Sequence, residues 1–401
     1  MDRKKNPYAP GAGTPPPELT GRDKILDDVE VALARVIAGR PSQGMFLTGL
    51  RGVGKTVLLN EFLQIAENEG YVADFIEAPE NRALAELLAP SLRQALLKIS
   101  VLEKAKDVVS RALGVLKSFT LSMKVGEVEV ALNNKAIIGI ADSGDLERDL
   151  PDLFLAAGDA AKANGTGIAL LIDEIQYLSQ ADLAALIVAT HRVAQKNLPI
   201  IVIGAGLPLL PALSGDAKSY AERLFTYPIV GALEARDARR AIAEPARELS
   251  VEYTEDALEE IVRTTAGYPY FVQAWGSVVW DLAPQSPITL DDVKSASAEA
   301  TRKLDESFFR VRLDRVTDSE KRYLRAMAEL GSGPYKTADI AAFFKKKGAS
   351  FGPVRDSLIK KGMIYSPRYG EIDFTVPLFD QFMKRAQPTV RAKPSKRGQM
   401  L

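Results

Sequence analysis

The stretch Gly49-Leu50-Arg51-Gly52-Val53-Gly54-Lys55-Thr56 constrains the fold of this 401-residue chain more than any other. It fits the pattern G-x-x-x-x-G-K-[ST] in full. Its surroundings also fit: the apolar run GMFLTGL (44–50) leads in, and TVLLNEFLQIAENEG leads out with helical spacing as far as Gly70. The glycines let backbone N–H groups turn inward around phosphate oxygens, and the helix N-terminus adds the positive end of its dipole. Gly49 to Val57 is therefore the candidate cradle for a nucleotide. Lys55 is placed for the β- and γ-phosphates and Thr56 for Mg²⁺. The competing reading, a chance Gly-rich turn, is weakened by a second motif downstream.

That motif is IALLIDEIQYL, in which an apolar run ends in Asp173 and Glu174. In a parallel sheet the carboxyl end of such a strand lies beside the phosphate loop. Asp173 is the candidate Mg²⁺ ligand, directly or through water. Glu174 is the candidate catalytic residue that orients and polarises an attacking water. The plainer reading is a capping pair at a strand end.

Around these motifs, short apolar runs alternate with helical patterns. YVADFIEAP reads as a second strand, and GIALLIDEI (167–175) and PIIVIGAG (199–206) as strands covered on both faces. Ser179 with Asp182 opens the helix between the last two. The fold class expected is α/β: a P-loop NTPase parallel sheet sandwiched by helices, followed by a helical lid and a winged-helix domain. The domains expected are a Pro/Gly-rich arm, extended or disordered alone, at 1–17 and a nucleotide-binding core at 18–230. A helical lid at 231–315, a winged helix at 316–386 and a basic tail at 387–401 follow. Inserted helices and a hairpin are expected at about 80–140. The hairpin rests on alternation at Phe119, Leu121, Met123 and Val125, then Val128, Val130 and Leu132 around Gly126. In the last part, a T-x-x-E capping box at Thr317 opens the first of three short helices, and YSPRYGEIDFTVP alternates across a Gly turn as a wing would.

With these motifs the chain resembles AAA+-type ATPases, near the origin-recognition initiators, archaeal ATPases and STAND signalling ATPases, over roughly residues 18 to 386. ELTGRDKIL matches the segment that lies near adenine in relatives, which implies base-side roles for Leu19, Thr20, Gly21 and Arg22. SYAERLF stands where relatives often carry an arginine finger. Arg223 is implied as a catalytic residue acting on a neighbouring subunit's nucleotide, against a salt-bridge or packing role. AGYPYFVQ matches a lid motif and implies that Gly267 and Pro269 face the adenine or ribose. Two departures stand out. The fourth strand ends in Gly204-Ala205-Gly206, without a polar sensor, and Tyr-Pro-Tyr-Phe follows Gly267 where an initiator-type lid often presents an arginine. Arg239 and Arg240 are substitute candidates, against the plainer reading of solvated helix charges. Both departures point to slow hydrolysis used as a switch.

Composition limits the alternatives. The chain has no cysteine and one histidine, His191, which removes disulfides, thiolate zinc sites and histidine-rich metal sites. No apolar stretch is long enough to span a bilayer and no signal peptide is visible, so a cytoplasmic location is the default. The formal net charge is zero, but Val316 to Leu401 carries 17 basic and 8 acidic residues. Arg355, Lys360 and Lys361 on the third helix of the wing domain, Lys345-Lys346-Lys347 before it and Arg368 at the wing tip are candidates for duplex DNA contact, against protein contact or a solvated face.

The function expected is ATP binding with Mg²⁺-dependent hydrolysis, working as a slow conformational or assembly switch with nucleotide-dependent homo-oligomerisation. The alternative is an ATP-regulated DNA-binding factor of initiator or transcription-regulator type. A small-molecule phosphotransferase would need an acceptor site, and none is visible.

Overall fold

A computed structural model describes residues 1–11, 13–80, 82–101, 105–125, 134–344 and 351–387. Five parallel strands build the central sheet: β1 (Gly44–Thr48), β2 (Tyr71–Glu77), β3 (Gly167–Asp173), β4 (Ile200–Gly206) and β5 (Phe225–Thr226), in the order β2-β3-β4-β1-β5. Every residue of β1, β3 and β4 is buried, as near-continuous apolar runs require. The two-residue period of a strand splits them between two cores. Ala169, Leu171, Ile201 and Ile203 face α1 (Asp23–Ile37) and α2 (Lys55–Asn68). Ile168, Leu170, Ile172 and Val202 face α3 (Leu84–Ser100), α4 (Lys106–Ser122), α5 (Leu146–Asn164) and α6 (Gln180–Gln195). Ser179 caps α6 by accepting from Asp182 N at 3.0 Å.

The long stretch after β2 is therefore a packing layer. One expectation within it fails. Phe119 and Leu121 lie in α4, not in a strand, because Val109, Ala112, Leu113, Leu116 and Phe119 also form a helical stripe that is buried against the second core. The second half of the expected hairpin, 126–133, lies outside the described residues.

Four helices follow the sheet: α7 (Ala235–Arg247), α8 (Glu255–Thr265), α9 (Pro269–Leu282) and α10 (Leu290–Leu304). A π-helical turn (Asp305–Phe309) and a short helix (Arg310–Leu313) lead into the last part. There α11 (Asp318–Glu329), β6 (Tyr335–Lys336), α12 (Thr337–Phe343), α13 (Gly352–Lys360), β7 (Ile364–Tyr365), β8 (Glu371–Phe374) and α14 (Phe379–Ala386) form a winged-helix order with a three-stranded sheet β6-β8-β7. Thr317 and Glu320 form the expected capping box. The lysine run 345–347 and residues 388–401 lie outside the described residues.

The N-terminal arm is docked, not free. Tyr8 is buried; its hydroxyl donates to Ile242 O at 2.6 Å and meets the Tyr253 hydroxyl at 3.1 Å. Gly276 makes room, since a Cβ there would stand 2.7 Å from the Tyr8 ring. Asn6 Nδ2 donates to Asp281 Oδ1 at 2.8 Å, and Trp280 Nε1 to Asp2 O at 3.0 Å. Composition alone suggested freedom because Pro and Gly content does not show where Tyr8 will pack. No described helix is long and apolar enough to cross a membrane.

Candidate nucleotide site

The phosphate loop leaves β1 and turns at Gly52 (φ 83°) and Gly54 (φ 95°), left-handed conformations that favour glycine. At Gly52 a Cβ would also press to 3.2 Å on Tyr268 and Tyr270. Lys55 opens α2 and is buried; its ammonium donates to Gly49 O and Leu50 O, both at 2.9 Å. Burial lowers its pKa to about 8, with Arg51 adding to the fall and Glu174 and Asp173 opposing it.

Parallel pairing of β3 with β4 and of β4 with β1 carries the second motif to the same edge. Thr56 Oγ1 donates to Asp173 Oδ2 at 2.6 Å. Burial raises the Asp173 pKa, while the hydrogen bonds from Thr56 and from Glu174 N oppose the rise. This donor pair is oxygen only, and no cluster of three metal-ligating side chains exists among the described residues. Such a set suits Mg²⁺, which keeps several waters and takes further oxygens from phosphates.

Glu174 sits at φ 52°, a left-handed position rare for a non-glycine residue and often found at functional sites. Its backbone N–H donates to Asp173 Oδ1 at 2.8 Å. One carboxylate oxygen lies 3.5 Å from Arg51 Nη1, and the other accepts from Gln176 Nε2. Gln176 Oε1 in turn accepts from Leu207 N at 3.1 Å. This explains Gly206: a Cβ there would stand 2.7 Å from Gln176 Oε1. The fourth strand lacks a polar side chain at its end because Gln176 occupies that space.

A cavity of about 360 Å³ joins these groups, a volume typical of small-molecule sites. Arg51 to Val57, Asp173, Glu174, Leu19, Thr20, Arg22 and Pro269 line it, as does part of the N-terminal arm (Ala9 to Gly11, Gly13, Thr14, Pro16). Five expected residues do not line it. Gly49 and Leu50 meet the site only through their carbonyls, which accept from Lys55. Gly21 packs on Asp237, with a would-be Cβ 2.7 Å from its carboxylate. Gly267 does not face the cavity: at φ 67° its Cβ would stand 2.3 Å from Leu233 O, and its carbonyl accepts from Leu233 N at 2.8 Å. Arg223 is exposed and lies outside this cavity, in the short helix Ala221–Leu224 that precedes β5; its carbonyl accepts from Gln43 Nε2 at 3.0 Å.

Arg22 is buried and donates to Gly231 O at 2.6 Å and Val53 O at 3.4 Å, tying the loop to the segment that leads into α7. The substitute arginines are occupied: Arg239 pairs with Glu255 at 3.0 Å and Glu259 at 2.9 Å, and Arg240 with Glu18 at 2.8 Å. A different arginine reaches the cavity. Arg312 donates to Phe308 O at 2.6 Å and lies 3.8 Å from the Phe308 ring centroid. Burial, with Arg51 nearby, lowers its pKa to about 10. Reading by motif missed it because it stands 43 residues beyond Pro269, and only the turn at Asp305–Phe309 brings it back.

A profile of the AAA ATPase domain matches residues 18–203, and a domain of unknown function, DUF8462, matches residues 306–383. Among solved structures, the Walker-type ATPase PABY2304 of Pyrococcus abyssi is similar at 17% identity and TM-score 0.58, covering 91% of this chain and 96% of that one. The RuvB Holliday junction branch migration motor of Thermotoga maritima is 16% identical, with TM-score 0.43 and coverage of 88% and 91%. The Aeropyrum pernix ORC1 protein, solved in complex with DNA, is 16% identical, with TM-score 0.43 and coverage of 92% and 94%. No curated protein matches the chain. A complete phosphate loop, an acidic strand end hydrogen-bonded to it and the β2-β3-β4-β1-β5 sheet agree with the profile: residues 18–203 match an AAA ATPase domain and carry its phosphate-loop and acidic strand-end motifs.

Proposed function

We propose that this protein binds ATP with Mg²⁺ and hydrolyses it slowly, as a conformational or assembly switch read out through its C-terminal winged helix. The observation that carries this reading is convergence. Lys55, Thr56, Asp173 and Glu174 share one cavity with Tyr270 of the lid, and Tyr270 N donates to Gly52 O at 3.2 Å. A phosphate chain held by the loop would bear directly on the lid. Lys55 neutralises phosphate charge, Thr56 and Asp173 supply oxygens to Mg²⁺, and Glu174 orients the attacking water. Bound Mg²⁺ would neutralise charge on the phosphates. Arg223, exposed and outside its own cavity, is suited to act on a neighbour's nucleotide.

Protein contact is the output we favour for the winged helix. Arg355 pairs with Asp356 at 3.1 Å and Lys361 with Glu320 at 2.7 Å, which leaves Lys360 and the wing-tip Arg368 as the exposed cations among the described residues of the named set. The DNA-binding alternative needs cations free for phosphate. Light scattering with ATP, ADP or no nucleotide, alongside ATP turnover, tests the switch. A nucleotide-dependent change in size or shape is expected; its absence, or the absence of turnover, overturns the reading. A salt titration of duplex affinity decides the alternative, which fails if no binding occurs at low salt.

A further inference from the structure

The C-terminal part touches the phosphate loop through Arg51. Its backbone N–H donates to Thr375 O at 3.4 Å. Its guanidinium lies over Gly362, where a Cβ would stand 2.7 Å from Nη2. Thr375 is buried and donates to Gly362 O at 2.6 Å, so these two contact points belong to one unit beside the wing. The same guanidinium also meets the water-orienting carboxylate: Nη2 donates to the Tyr177 hydroxyl at 2.5 Å, and Nη1 lies 3.5 Å from Glu174 Oε1. Gln176 holds the second Glu174 oxygen. A carboxylate with both oxygens engaged is a poor acceptor for a water proton. Arg312, which lines the same cavity, has no ion-pair partner among the described residues.

We propose that Arg51 is a positioning residue through which docking of the C-terminal part restrains Glu174. Hydrolysis is slow while that part rests on the loop and rises when a protein partner draws it away. The inference rests on the reading of Glu174 as the water-orienting residue. Arg51 and Glu174 are each about a quarter exposed, so their pairing is weak and its release produces a modest rate change.

The test measures kcat for ATP and ATP affinity in the full chain, for wild type and for Arg51→Met, Arg51→Lys, Gly362→Ala, Glu174→Gln and the Arg51→Met/Gly362→Ala pair. Arg51→Met is expected to raise kcat about 3- to 10-fold at saturating ATP, where any loss of affinity from its place in the cradle does not enter. Arg51→Lys restores part of the restraint. Gly362→Ala raises kcat with Arg51 intact, because the added methyl displaces the guanidinium. The pair rises no further than the larger single change, as coupled sites do. If Gly362→Ala fails to fold at its φ of 61°, Tyr177→Phe replaces it, with a smaller rise. Unchanged or lower kcat in Arg51→Met, while Glu174→Gln abolishes turnover, overturns this inference and leaves the proposed function standing. Full turnover in Glu174→Gln overturns the site reading and the inference with it.

Discussion

Thr56 Oγ1 donates to Asp173 Oδ2 at 2.6 Å across 117 residues of sequence, joining the start of α2 to the end of β3. Neither residue can be changed without altering the other's surroundings. Thr56→Val leaves one oxygen of a buried carboxylate without its donor, and Asp173→Asn removes the charge that suits a cation. Each is expected to weaken the Mg²⁺ dependence of nucleotide binding by about tenfold or more, measured by calorimetry with and without Mg²⁺. Equal ATP affinity and Mg²⁺ response in both variants would remove this pair from the cation site.

Glu174→Gln conserves shape and removes the proton acceptor. It is expected to bind ATP with near wild-type affinity and to lose turnover by about a hundredfold or more. Single-turnover hydrolysis checks this; normal hydrolysis would falsify the assignment.

Lys55 adds a pH signature. Its ammonium is charged below about pH 8 and neutral above it, so the attraction for phosphate weakens as pH rises. Between pH 8 and 9 affinity for ATP is expected to fall by up to about tenfold, less where bound phosphate holds the proton on. Lys55→Ala should lose at least about tenfold in affinity at pH 7 and flatten that dependence. A fluorescent ATP analogue titrated from pH 7 to 9 gives both readings.

Glu320 ties the capping box of α11 to Lys361 and Ser357. Burial pushes its carboxyl up, but hydrogen bonds from Lys361, Ser357 and Thr317 outweigh this and bring it to about 2. A depressed carboxyl stabilises the fold above its unfolded value of about 4.5 and loses that contribution as pH falls toward 2. Glu320→Gln is expected to cost about 1–2 kcal/mol at pH 7, after allowance for solvent screening, and almost nothing near pH 2. Chemical denaturation at several pH values would show it; a pH-independent difference would contradict it.

The arm offers a test free of nucleotide chemistry. Tyr8→Phe removes a hydroxyl shared between Ile242 O and Tyr253, and Tyr8→Ala empties a buried site against Gly276 and Trp280. Expected losses are about 1 kcal/mol and about 3 kcal/mol. If proteolysis cuts the arm equally fast in wild type and Tyr8→Ala, the docking carries no stability.

Local pattern was enough for the motif-bearing elements. The apolar runs at β1, β3 and β4 could only be doubly covered strands, and the capping residues Ser179 and Thr317 stand where the sequence places them. The same reasoning failed at Phe119 and Leu121, where a two-residue alternation and a helical stripe coincide over a short window. Burial against the second core decided for the helix.

The sequence by itself determined the loop Gly49 to Thr56, the acidic pair Asp173-Glu174 and the alternation that makes the sheet parallel, because each depends on residues close in the chain. Only the tertiary structure decided which distant groups complete the site. Gln176 fills the space left by Gly206, Arg312 arrives from the far end of the lid, and Arg51 meets Gly362 and Thr375. Gly267 shows the same division: its φ of 67° and close approach to Leu233 make it a tight turn outside the cavity lining. Such contacts depend on how separate elements pack, and no short-range spacing encodes that.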